Sequence, residues 1–409
     1  TDQFVITTQI KNINFKEDIE YFINNKHKLK FGANVIRHIV SPGRIEAEAT
    51  SNLRSSVVQY RYSWESAAYI SHEANLTEKW NVSYGLRLSN LLAVGPGNFY
   101  NYDAAGNVID TTPFKRGETV ASYWNLEPRI SVSYAINPLQ SFKFSFNRNV
   151  QNIHLLSNST SGRPTDLWIP SSRNVAPEVA DQWAVGFYKT TKNQAYEWSI
   201  EAYYKFFDNQ IDYRNGADLR ANDNVERELV FGTGRAYGIE ALVKKKTGKL
   251  TGWIGYTYSK TERKFAAINN GNYFNARQDR PHDLSIVGIY QASKRVSFSG
   301  TFVYSSGNAV TFPSGKYRVN EQTVFLYTER NGYRMPAYHR LDLAVTIDSK
   351  KNANRRMQSS WTIGVYNAYA RENAFSIDFK DDPNDPTKTV AERTALFKFV
   401  PGITWNFKY

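Results

Sequence analysis

The sequence predicts an all-β chain, an antiparallel up-and-down transmembrane β-barrel. Three observations predict it: two-residue alternation that recurs along the chain, an aromatic content of 15% at a mean hydropathy of only -0.54, and connections that alternate between short and long. Successive side chains of a strand point to opposite faces, so a wall between lipid and water needs an apolar residue only at every second position. Aromatic residues collect where such a wall meets the two water boundaries. The 27 Tyr, 24 Phe and 9 Trp against 2 Met fit that composition. No apolar run reaches the roughly 18 residues a membrane helix needs, which leaves a closed barrel as the only way to cross.

The alternation starts in a strand ending near Ile23. It continues through Trp80, Val82, Tyr84, Leu86 and Leu88, then Ile130, Val132, Tyr134 and Ile136, then Phe142, Phe144 and Phe146. Further on it reads Trp198, Ile200, Ala202, Tyr204 and Phe206, and it ends on Ile403, Trp405, Phe407 and Tyr409. Charges keep the opposite parity: Arg61 and Glu65, Arg87, Arg129, Lys143, Glu197 and Glu201, Glu240, Arg340 and Asp342. A soluble β-sandwich would also segregate charge, so the connections decide. Short turns are expected at 24–27, 72–77, 137–139, 191–194, 247–249, 292–294 and 349–357. Long connections are expected at 41–55, 93–121, 149–180, 208–234, 261–281, 306–337 and 371–394. Tight turns at one end and extended loops at the other are the rhythm of an up-and-down barrel.

About fifteen strands of ~9 to 15 residues follow, or sixteen if residues 1–12 form a strand of their own. An odd antiparallel set cannot close on itself, so further strands are expected outside the sequence. The final strand descends from a long loop, which places the C-terminus at the short-turn rim, the periplasmic side in bacterial barrels. Gly234, Gly238, Gly252 and Gly255 interrupt alternating strands, where a missing side chain permits curvature or close approach.

Several segments resemble the C-terminal barrel of TonB-dependent receptors. They are Ser161-Gly-Arg-Pro-Thr-Asp-Leu-Trp-Ile-Pro170 leading into Pro177-Glu-Val-Ala-Asp-Gln-Trp183, then Gly234-Arg-Ala-Tyr-Gly-Ile-Glu240, Asp279-Arg-Pro-His-Asp-Leu284, Tyr304-Ser-Ser-Gly307 with Pro313, Tyr338-His-Arg-Leu-Asp342, and Val365-Tyr-Asn-Ala-Tyr369 with Asn373. The resemblance implies a barrel of about twenty-two strands holding an N-terminal plug. Residues 1–409 would then be the C-terminal barrel portion, with the plug, about seven strands and the TonB-contact motif outside it. It also makes Phe407 and Tyr409 resemble the terminal signal read by the outer-membrane insertion machinery.

Enzyme chemistry finds little support. Cysteine is absent, which removes disulfides and thiolate chemistry. The histidines at 27, 38, 72, 154, 282 and 339 show no metal-ligand spacing, so no metal and no cofactor is expected. Gly232-Thr-Gly-Arg-Ala-Tyr-Gly238 has its third glycine one place late for a dinucleotide fingerprint, and Lys244-Lys-Lys-Thr-Gly-Lys249 lacks the first glycine of a phosphate loop. Asp381, Asp382 and Asp385 read as a solvated acidic turn, with Ca²⁺ the rival reading. No Gly-x-Ser-x-Gly elbow occurs.

The function implied is import of a nutrient, a siderophore, haem, glycan or peptide, with this chain supplying wall and loops. Candidate ligand contacts are loop aromatics and arginines, which combine stacking with bidentate hydrogen bonds: Phe99, Tyr100 and Tyr102; Arg163, Trp168 and Arg173; Tyr213 and Arg214; Tyr273, Arg277 and Arg280; Tyr317, Arg318, Tyr333 and Arg334. The net charge of +13 suits an anionic ligand or lipopolysaccharide phosphates. Expected partners are outer-membrane lipid and lipopolysaccharide, the plug and remaining strands, TonB through the absent portion, and a surface lipoprotein. Nucleic acid is not among them, because the basic residues are dispersed. Two other readings stay open: a passive porin-like channel or lipoprotein scaffold, and a soluble β-rich adhesin.

Overall fold

The computed structural model describes residues 4–47, 56–103, 106–156, 167–217, 222, 224–319, 322–350, 356–385 and 387–409. Its wall is built from β1 (Phe4–Asn24), β2 (His27–Ala47), β3 (Arg61–Asn75), β4 (Trp80–Val94), β5 (Thr119–Asn137), β6 (Gln140–Gln151), β7 (Glu178–Thr190) and β8 (Tyr196–Tyr213). It continues with β9 (Leu229–Lys245), β10 (Leu250–Phe265), β11 (His282–Gln291), β12 (Val296–Ser305), β13 (Tyr338–Asp348), β14 (Gln358–Tyr366) and β15 (Val400–Lys408). Each strand pairs antiparallel with the next. Among the described residues β1 and β15 do not pair with each other, so both outer edges of this meander are free. Residues 4–24 are one continuous strand, so residues 4–12 belong to β1 and form no strand of their own, and the wall counts fifteen strands among the described residues.

The pairings carry the sequence parity across the sheet. Trp80 lies opposite Tyr134, Tyr134 opposite Phe142, and Phe142 opposite Phe187. On this apolar face Phe15 is 72% and Trp124 68% exposed, as expected of a surface that lipid or a partner covers. The opposite face is an ionic lattice. Lys30 bridges Glu20 (3.3 Å) and Glu73 (2.8 Å), Lys28 reaches Glu73 (2.8 Å), and Arg87 lies 3.5 Å from Glu127, which also accepts the Ser89 hydroxyl at 2.7 Å.

Two expectations are corrected. β3 runs to Asn75, so the turn expected at 72–77 falls at 76–79 instead. Several strands exceed 15 residues: β1 and β2 have 21, β5 has 19 and β8 has 18. They continue past the apolar band because their backbones go on pairing where both faces are polar or covered by loops. Two strand glycines have close neighbours. A Cβ on Gly238 would stand 2.6 Å from the Tyr258 carbonyl and 3.0 Å from the Tyr203 ring, and one on Gly252 (φ +149°) would stand 2.0 Å from the Val287 carbonyl.

Candidate functional site

The long connections gather over the polar face. After β6 the chain forms a small hairpin, Ile153–Leu156 with Leu167–Pro170. It packs against β1, β2 and β3 on one side and β8 on the other, strands far apart in the meander, so the polar face is concave and the hairpin lies across it. Its apolar residues Leu156, Leu167 and Ile169 join Val175, Ile211, Val225 and Leu229 in one buried cluster. Its root is polar: His154 Nε2 is 2.8 Å from Ser171 Oγ and Nδ1 is 3.8 Å from Glu178 Oε1. Burial pushes the His154 imidazole down to about 4, so it is neutral at pH 7.

Ion pairs tie the loops to one another. Asp212 accepts Arg330 Nη1 at 2.5 Å and Arg263 Nη1 at 3.4 Å. The Arg330 guanidinium also donates to the Tyr213 carbonyl (2.7 Å) and Asn215 Oδ1 (2.9 Å), and it lies 4.3 Å from the Tyr213 ring centre. Asp279, fully buried, holds Arg334 and accepts the Thr261 amide at 2.6 Å. Asn174 joins the Tyr100 carbonyl (2.9 Å) to Glu226 (2.6 Å). Lys316 reaches Asp381 at 2.6 Å, and Phe312 packs edge-on to Phe379 at 4.9 Å.

Inside this crown lies a cavity of about 750 Å³. Arg263, Arg277 and Arg330 line it together with Glu178, Asp212 and Asp378, and its aromatic walls include Tyr213, Phe312, Phe325 and Tyr327. Its charge is mixed, so the excess of +13 is not concentrated there. A cavity with apolar rings and a few fixed polar groups is the usual form of a small-molecule site.

Of the residues singled out in the sequence, Tyr213 and Arg277 line this cavity. Tyr213 is the last residue of a wall strand, not a loop residue. Tyr100 and Tyr102 belong to the hairpin Gly97–Tyr102 with Val108–Phe114, outside the cavity lining, as is Phe99, under the Arg61 guanidinium at 4.4 Å. Trp168 is a half-buried member of the in-folded hairpin, and Arg173 is exposed. Arg214 is clamped by Glu228 at 2.7 and 3.1 Å. Arg334 holds Asp279, and Arg280, Tyr317, Arg318 and Tyr333 are exposed elsewhere on the crown. Tyr273 lies on the apolar-face side, 4.1 Å from Arg235. Arg163 lies outside the described residues. Phe407 stands on the apolar face 5.4 Å from Trp405, and the Arg356 guanidinium lies 5.1 Å from the Tyr409 ring.

Sequence reading missed Arg263, Asp212, Glu178, His154 and Arg330. The first three stand on wall strands beyond the apolar band: continued alternation marks Glu178 and Arg263 as inward-facing, whereas Asp212 has the parity of the apolar residues Tyr204 and Phe206 and turns inward only through the bulge between Phe207 and Gln210, which alternation does not reveal. Arg330 precedes Asn331, whose φ of 53° marks a tight turn. In the acidic loop, Asp381 accepts Lys316 and Thr323 and Asp385 accepts the Thr387 amide and hydroxyl. Among the described residues no three ligating side chains converge on a metal position.

The family model for the β-barrel of TonB-dependent receptor-like proteins matches residues 6–368. The chain belongs to that family. Compared by sequence with curated proteins, this TonB-dependent receptor barrel matches none. Among solved structures it is similar to the ferripyoverdine receptor of the Pseudomonas aeruginosa outer membrane bound to ferripyoverdine (TM-score 0.62, 12% identity, 100% of this chain and 49% of that one). It is also similar to the FrpB iron transporter from Neisseria meningitidis (TM-score 0.58, 13% identity, 100% and 56%) and to the unliganded ferric citrate transporter FecA (TM-score 0.59, 13% identity, 98% and 55%). At such identities the likeness is one of fold, and the chain spans about half the length of these structures.

Proposed function

We propose that the chain is the C-terminal wall and ligand-recognising mouth of an outer-membrane transporter that imports a nutrient with energy delivered through TonB. The observation that carries this reading is the mixed-charge, aromatic-lined cavity on the concave face of a TonB-dependent receptor barrel. Residues 1–409 act as one barrel domain whose free edges on β1 and β15 take up about seven further strands, and a plug fills the space the polar lattice faces. Short turns and Tyr409 sit at the periplasmic rim, and the crown faces outward. The named neighbours handle iron complexes, which supports a metal chelate as ligand; haem, glycans and peptides fit the same cavity chemistry.

The test is growth of cells carrying the full-length gene on a panel of iron chelates, haem, oligosaccharides and peptides as limiting nutrient, with and without TonB. Uptake of one member that is lost without TonB is expected. Uptake independent of TonB would make the protein a passive channel.

A further inference from the structure

The polar face does not hold every charge. Beyond the apolar band on β9 and β10, Arg235, Lys260, Glu262 and Lys264 share the face of Tyr237, Ile239, Ile254 and Tyr258, as the pairing of Arg235 with Glu262 requires. Glu262 is held by both Lys260 (2.7 Å) and Arg235 (2.7 Å). Tyr273, returned by the connection after β10, lies 4.1 Å from Arg235 and 5.5 Å from Lys264. Two cations therefore hold one carboxylate, and a third, Lys264, stands two residues along the same strand face. The Arg235 and Lys260 side chains keep 34% and 36% of their surface exposed.

We propose that this cluster binds the phosphate of a membrane-lipid headgroup. Glu262 also borders the cavity, but the cations Arg235, Lys260 and Lys264 are outside its lining and share the apolar side of the wall. The cluster follows directly on Tyr237 and Tyr258, and Tyr side chains settle where hydrocarbon gives way to headgroups. Lys260 and Lys264 lay their stems along that boundary with the ammonium in water. Arg235 gives Nε and Nη2 to Glu262 and is braced flat by Tyr273, which orients the rest of its planar fork for phosphate oxygens. The same register row also carries a bidentate pair, Arg148 with Asp181 at 2.7 and 2.6 Å, so charge at this height recurs across neighbouring strands.

The inference rests on the apolar face meeting lipid, and its test is separate from transport. Native mass spectrometry of the detergent-purified full-length protein counts retained phosphate-bearing lipid in the wild type, in Lys260→Gln/Lys264→Gln, and in Lys143→Gln on the polar face. The double variant is expected to retain lipid on the order of tenfold more weakly, with the polar-face variant unchanged. Lys264→Gln alone, at a side chain whose ammonium rests against an aromatic ring, gives a smaller loss if the double variant misfolds. Equal retention in all variants overturns the proposal. Release of wild-type lipid by inorganic phosphate also overturns it and makes this a free-anion site.

Discussion

At the short-turn end of the wall several reversals, among the described residues, are closed by a side chain within them. Asn24 Oδ1 accepts the Lys26 and His27 amides at 2.8 and 3.0 Å, Thr77 Oγ1 accepts those of Lys79 and Trp80 at 3.1 Å, and Asn137 and Ser293 act alike in their own turns. At the long-loop end, closure comes largely from residues far away in sequence. Arg330 fixes one loop to Asp212 and Asn215, Asn174 joins two others, and Lys316 reaches Asp381. Local closure makes each turn independent of its neighbours, whereas long-range closure makes the crown one cooperative unit around its cavity. A wall with one self-contained rim and one shared rim can hold its shape while the shared rim rearranges.

The largest expected effect follows from removing a buried crown contact. Asp279→Ala deletes a fully buried carboxylate that holds Arg334 and the Thr261 amide. A loss of roughly 3 kcal/mol is expected, read as faster amide exchange across 261–281 and 306–337 together. Exchange confined to 261–281 would show that the loops are independent.

Acid is the next lever. His154 is held neutral by burial with a value lowered to about 4, below its unfolded value. The unfolded state then binds the proton more readily, so the hairpin root is fully stable above about pH 6.5 and loses stability as pH falls toward 4. The loss totals on the order of 3 kcal/mol. The protection of the Leu155 and Ile169 amides, taken relative to intrinsic exchange at each pH, should fall between pH 7 and 5 in the wild type and stay flat with pH in His154→Gln. An equal pH response in both would assign the effect to other groups.

Asn24→Ala should cost about 1 kcal/mol, since it deletes an acceptor for two turn amides that water can replace in part. The loss should leave exchange in the neighbouring short turns unchanged. Smallest of all, Lys380→Ala removes an exposed pair with Glu392, and no measurable change in stability or exchange is expected.

Much of the wall was legible because alternation, charge parity and turn residues are local: Asn24, Thr77 and Asn137 announce their turns within three or four residues. The ends of β1, β2, β5 and β8 were not, because backbone pairing outlasts the apolar band that marks a strand in sequence. The crown was least legible. Arginine loops drew attention to Arg214 and Arg334, yet Glu228 and Asp279 occupy those guanidiniums. Arg263 and Asp212 entered the cavity from strands, and their meeting with Arg330 depends on contacts more than fifty residues apart. Tyr273 looked like a mouth residue and stands on the other side of the wall.

The most direct measurement compares the two rims in the full-length protein. Uptake of the nutrient identified by the growth panel is measured in TonB-positive cells for Arg263→Gln/Arg277→Gln in the crown and for Lys28→Gln/Lys30→Gln near the short turns, at matched outer-membrane levels. The crown variant is predicted to lose uptake by at least about tenfold, and the short-turn variant to keep it. Undiminished uptake in the crown variant would contradict the assignment of the cavity as the ligand-recognising mouth.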